Sequence, residues 1–107
     1  MALYYKANGE FKIIYPQEMP NYEGKPESSF ALKDMQDLVG GYCQLIYLGD
    51  SGLFIEGVKY SYILVDEDGR MNEKPINAKV TEYYQHVVGG SVNIVGDALL
   101  LERHEMD

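Results

Sequence analysis

The sequence predicts a small α+β domain, with a mainly antiparallel sheet of about five or six strands packed by two short helices. Three stretches carry that expectation. Leu3–Ala7 and Phe11–Tyr15 are apolar-rich runs that flank Asn8-Gly9, the strongest short-range signal for a β-hairpin. Ala31–Leu48 joins a helical stripe to a mostly apolar β run. Lys59–Asp66 alternates in the way a strand does. The chain reads as one domain over residues 1–107: an N-terminal hairpin at 2–15, a loop at 16–29 and a core at 30–102.

In chain order, Asn8-Gly9 predicts a two-residue type I′ turn, and Pro16, which has no N–H for a ladder, ends the second strand. Pro20, Asn21, Gly24 and Pro26 break any period between Gln17 and Ser29, so this segment is expected to be a surface loop, with Met19 and Tyr22 able to fold back as a lid. Leu32, Met35 and Val39 predict a helix with an apolar stripe, and Gly40-Gly41 ends it. Ala31 is a poor cap for that helix. Tyr42–Leu48 is apolar at nearly every position, which predicts a central strand covered on both faces.

Leu53–Ile55 is a short strand or rim segment, and Gly57 marks a bulge or bend. Along Lys59–Asp66, strict alternation puts Tyr60, Tyr62 and Leu64 on one face and Ser61, Ile63 and Val65 on the other. Glu67-Asp68-Gly69 reads as a tight turn into a brief returning strand at Arg70–Asn72. Asn77 is a good N-cap for a second helix over about Ala78–His86, whose Val80 and Tyr83 or Tyr84 face the sheet. Ser91–Glu102 reads as a final hairpin or bent strand turning at Gly96-Asp97, and the charged tail Glu102–Asp107 is expected to fray.

Composition bounds the function. The 17 acidic and 9 basic residues leave a net charge of −8, which repels a phosphate backbone and argues against direct binding to DNA or RNA. No apolar run approaches the ~20 residues of a membrane helix, and the start of the chain has no secretory pattern. A single cysteine, Cys43, excludes an internal disulfide framework and suits a reducing cytoplasm. Ten tyrosines and no tryptophan suggest that some rings face a ligand, a partner or another copy of the chain.

Catalytic and metal motifs are missing from the sequence pattern. Glu82 and His86 stand one helical turn apart, but zinc needs three or four ligands and no third is evident. Counting back from Gly69 places Leu64 first in any calcium loop, so Asp66–Gly69 fails that pattern. Cys43 in a predicted strand is a small buried group, there is no nucleophile elbow, and the glycine pairs lack a Walker lysine or dinucleotide spacing. The protein is therefore expected to be no enzyme and to use neither a metal nor a cofactor.

Four runs occur in a distinctive order: LVGGY at Leu38–Tyr42, VDEDGR at Val65–Arg70, PIN at Pro75–Asn77 and VGDALL at Val95–Leu100. Together they resemble a family of small proteins carried by phages, plasmids and other mobile elements, known only as a domain of unknown function. The resemblance covers Phe30 to Leu101 and leaves the hairpin and the loop outside it. Gln44 stands where that family commonly has an acidic residue. The resemblance implies a protein that acts on host systems, defence included, by binding rather than catalysis, in the host cytoplasm.

Two binding roles fit these residues. In the first, the protein captures a small nucleotide-like ligand. Tyr42 would stack on a base, Arg70, Lys74 and Lys79 would meet a phosphate, and Asn77 and Asp97 would bond a sugar or base edge. In the alternative, it is an acidic interaction module that inhibits a host nucleic-acid-binding protein. Probable sheet edges and exposed rings make a homo-oligomer a third expectation.

Overall fold

The structure, a computed structural model, describes residues 1–106. Its elements are β1 (Ala2–Tyr5), β2 (Phe11–Ile14), α1 (Leu32–Val39), β3 (Cys43–Tyr47), β4 (Leu53–Ile55), β5 (Val58–Tyr60), β6 (Tyr62–Asp66), α2 (Ala78–Val88) and β7 (Ala98–Leu101). Five strands form an antiparallel sheet in the order β2-β1-β7-β6-β3, and β4 pairs with β5 in a separate ribbon. The fold class is α+β, as the sequence predicts.

Alternation along the strands makes two cores, one on each face of the sheet. Leu3, Ile63, Val65, Ala98 and Leu100 pack with Val80 of α2. Ala2, Tyr4, Ile14, Leu64, Leu99 and Leu101 pack with Met35 and Val39 of α1.

Several expectations are corrected by this arrangement. The central strand is β7, all four of whose residues are fully buried. The Tyr42–Leu48 run instead supplies β3, which is an edge: Leu45 is 42% and Tyr47 52% exposed. A mostly apolar run does not distinguish a covered strand from an edge that keeps an apolar flank. Ser91–Val95 forms no strand beyond one bridge from Val95 to Ile76, and residues 67–73 are a chain of turns, so there is no returning strand at Arg70–Asn72.

The N-terminal hairpin turns differently too. Gly9 donates to the Lys6 carbonyl (3.0 Å) and Lys6 to the Glu10 carbonyl (2.8 Å), a three-residue loop with Gly9 at φ +95° rather than a two-residue type I′ turn. The Ala7 N–H is taken by Asp97 Oδ1 at 2.9 Å and so is held out of the ladder. A two-residue turn is found instead at Glu56-Gly57, where both φ values are positive (49° and 82°) and Ile55 faces Val58.

Lys59–Asp66 is not one strand. Ser61 donates to the Leu101 carbonyl (2.9 Å) while Tyr62 also faces Leu101, so two residues oppose one, as in a bulge. The extra residue reverses the alternation, and Tyr60 packs with Ile63 and Val65. On α1 the buried row is Ala31, Met35 and Val39, spaced four apart, whereas Leu32 is 49% exposed. The 16–29 loop packs Met19 against the α1-side core, but Tyr22 stands 87% exposed and is no lid.

The tail is ordered through Met106; Asp107 lies outside the described residues. Glu105 is fully buried: its Oε1 accepts the Glu102 N–H (2.8 Å) and its Oε2 the Met1 ammonium (3.0 Å), which also reaches Glu102 (2.7 Å). The Glu105 carbonyl receives the Phe30 N–H at 2.9 Å, so the tail fastens the end of the loop to the sheet. Burial pushes the Glu105 carboxyl up from its ordinary value, against the pull of those two donors. Removing one partner of a buried ion pair leaves the other uncompensated, so Glu105→Ala is expected to cost about 3 kcal/mol in urea unfolding. A frayed tail would keep the change within about 0.5 kcal/mol.

Candidate functional site

The six candidate binding residues do not meet at one site; only Lys74 and Asp97 share a surface depression. Asn77 is 1% exposed and its side chain is fully used: Oδ1 accepts the Val80 N–H of α2 (3.2 Å), while Nδ2 donates to the Tyr5 and Gly96 carbonyls, both at 2.9 Å. It is a cap that also ties α2 to β1 and to the approach to β7, and it is not available to a ligand. Asp97 takes the Ala7 N–H (2.9 Å) on one oxygen and the Tyr4 hydroxyl (3.4 Å) on the other. Burial, with Asp97 beside it, pushes the Tyr4 hydroxyl up to about 12, so it stays a donor.

Lys74 is likewise committed. Its ammonium lies 2.6 Å from Asp66 Oδ2 and donates to the Val39 carbonyl at 3.1 Å, a cation on the C-terminal end of α1. Gly41 lets the chain pass this pair, since a Cβ there would stand 2.6 Å from Asp66 Oδ1. Tyr42, 70% exposed, lies at a shallow surface beside the end of α1, and Lys79 lies over the Tyr83 ring at 4.9 Å. Of the six, Arg70 alone lines the groove between β3 and the segment that follows α2.

This groove has a volume of about 420 Å³. Gln44, Leu45 and Ile46 of β3, Val65 and Asp66 of β6 and the following Glu67 line one part of it, so two carboxylates lie on the same wall, and Tyr84 of α2 and the extended residues 92–95 line the other. Arg70 reaches it by donating to the Asn93 carbonyl. Gln44, Tyr84 and Asn93 line this candidate site and are absent from the sequence-predicted set. Only a paired register and the packing of α2 bring them together, and no local spacing signals it.

One set of metal-capable side chains converges among the described residues. Glu102, His104 and Glu105 have ligand atoms within 4.8 Å of one another. The Met1 ammonium already bridges both carboxylates there. Glu82 and His86 share a wide surface depression near the β4–β5 ribbon. Burial, and then Asp66, push the Cys43 thiol up, which suppresses its thiolate.

Residues 10–107 match one family model, described as Domain of unknown function (DUF3846). The chain belongs to this family. No curated protein and no solved structure matches it. The DUF3846 match begins well before Phe30, so the loop and β2 belong to the family domain. The structure gives a reason: the Asn21 N–H donates to the buried Asp34 carboxylate of α1 at 2.9 Å, binding the loop into the fold. Within this DUF3846 chain, the four ordered runs fall on structural joints. They are the end of α1, the turn in which Asp66 Oδ1 accepts the Asp68 N–H (3.0 Å), the cap of α2 and the entry to β7.

Two outcomes follow. Asn77→Ala removes a cap and strands one buried and one partly buried carbonyl, so it is expected to cost about 2–4 kcal/mol by chemical denaturation. Burial alone would raise the Asp66 carboxyl, but the Lys74 ammonium and the Asp68 N–H outweigh it and hold it below the usual carboxylate range. The unfolded chain then binds this proton more readily, so the contribution is whole above the ordinary carboxylate pKa and is lost as pH falls through the folded value. Asp66→Asn is expected to flatten the acid side of the stability–pH curve, read by urea melts from about pH 5 to pH 2.

Proposed function

We propose that this protein is a non-enzymatic binding protein of a phage or other mobile element that captures a small nucleotide-like ligand, acting as an antagonist of host defence. The groove between β3 and residues 92–95 is the site, and the observation that carries the reading is the presence of Tyr84 and Arg70 on one concave lining. Its volume falls within the range of small-molecule sites. A tyrosine ring offers a stacking surface, and a guanidinium with N–H groups to spare beyond its Asn93 bond suits a phosphate. Gln44 and the Asn93 side chain supply amides for a base or sugar edge. The net charge of −8 supports the acidic interaction module, but the concave lining favours capture.

The test is calorimetry against cyclic dinucleotides and adenine-dinucleotide derivatives. Binding is expected, and Arg70→Ala should weaken it about tenfold to a hundredfold through the lost charge-assisted hydrogen bonds. Heat with none of these compounds, or equal affinity after Arg70→Ala, would overturn the reading.

A further inference from the structure

β3 ends the sheet, and among the described residues no strand pairs with its outer side. The ladder to β6 fixes which backbone groups are already used. The Glu67 N–H donates to the Tyr42 carbonyl (2.7 Å) and the Leu48 N–H to the Ser61 carbonyl (2.9 Å). In an antiparallel ladder these bonded pairs alternate, so residues 42, 44, 46 and 48 turn their main chain toward β6. Cys43, Leu45 and Tyr47 therefore turn their N–H and C=O groups outward.

Natural edges are usually blunted by a proline, a lysine, an inward charge or a bulge. The strand CQLIY has none of these, and it carries no charge in a chain of net −8. The opposite edge, β2, carries Lys12, and β4 and β5 are only three residues each. Leu45 and Tyr47 share one exposed flank, where the Tyr47 ring lies 5.7 Å from that of Tyr62.

We propose that β3 is the interface with a second copy of this chain. Two β3 strands pair antiparallel about a two-fold axis at Leu45, which joins two five-stranded sheets into one continuous sheet. In this register Leu45 meets the partner's Leu45, and Cys43 meets the partner's Tyr47. Every outward N–H then finds a carbonyl. A partner rich in basic groups would be drawn to carboxylates, which this strand lacks. For two copies that repel each other elsewhere, an uncharged strip is an approach in which the paired strands themselves set no acid against acid, and the nearby Asp50 carboxylate is held by the Tyr47 hydroxyl at 2.6 Å. The pairing needs no ligand and does not rest on the groove.

Sedimentation equilibrium of the full chain at concentrations up to about 0.2 mM tests it. A concentration-dependent dimer is expected. Leu45→Pro should make it monomeric without loss of the β6 ladder, because the N–H it deletes points outward. Leu45→Lys should do the same through charge if the proline variant does not fold. Leu45→Cys in a Cys43→Ser background should cross-link under mild oxidation, since facing residues of such a pair lie within disulfide reach. Ile13→Lys on the β2 edge should leave the dimer intact. A monomer throughout the range, a dimer that survives both Leu45 changes, or one lost on Ile13→Lys would overturn the proposal.

Discussion

The fold depends on the complete burial of β7. Ala98, Leu99, Leu100 and Leu101 have no exposed surface, and their side chains alternate between the two cores. Burying each leucine contributes about 2 kcal/mol. More important is the position: β7 lies between β1 and β6, so the N-terminal hairpin joins β6 and β3 only through the last strand. Leu3 pairs with Leu100, a contact between the two ends of the sequence. Sheets closed by such distant pairings form late, because loop-closure entropy is met before the contacts reward it.

That closure explains the fate of the polar residues that look like ligand-binding groups. Bringing α2 and β7 against β1 buries the backbone carbonyl of Gly96 and partly buries that of Tyr5, and a buried carbonyl without a donor is costly. Asn77 answers both. Asp97 does the same for the Ala7 N–H, and Lys74 for the end of α1 and the Asp66 carboxylate. Residues capable of recognising a nucleotide are equally capable of satisfying a protein's own main chain. The groove proposed for binding is then lined by Arg70 and by side chains such as Tyr84 and Gln44, whose local sequence is unremarkable.

The tail follows the same logic. A charged hexapeptide at the end of a sequence ordinarily stays in water. Here Glu105 is fully buried because two donors, the Glu102 N–H and the Met1 ammonium, meet its carboxylate where β1 and β7 lie side by side. Tyr60, buried on the other side of the Ser61 bulge, keeps a hydroxyl with no hydrogen-bond partner among the described residues and is pushed up to about 12 by burial, with Glu102 and Glu105 adding to the effect.

Local chemistry in the sequence determined the α+β class, the two helices, the glycine that ends α1 and the asparagine that caps α2. Each of these is settled within a few residues by periodicity, backbone strain or a capping hydrogen bond. Only the tertiary structure decided which strand is central, which is an edge, how the hairpin at Asn8-Gly9 turns and which polar groups remain free. Those outcomes depend on partners far away in sequence: Asp97 draws off the Ala7 N–H, and Leu101 faces both Ser61 and Tyr62. A stretch of apolar residues records that a strand is wanted, but the neighbours that cover it are chosen by the closing of the sheet.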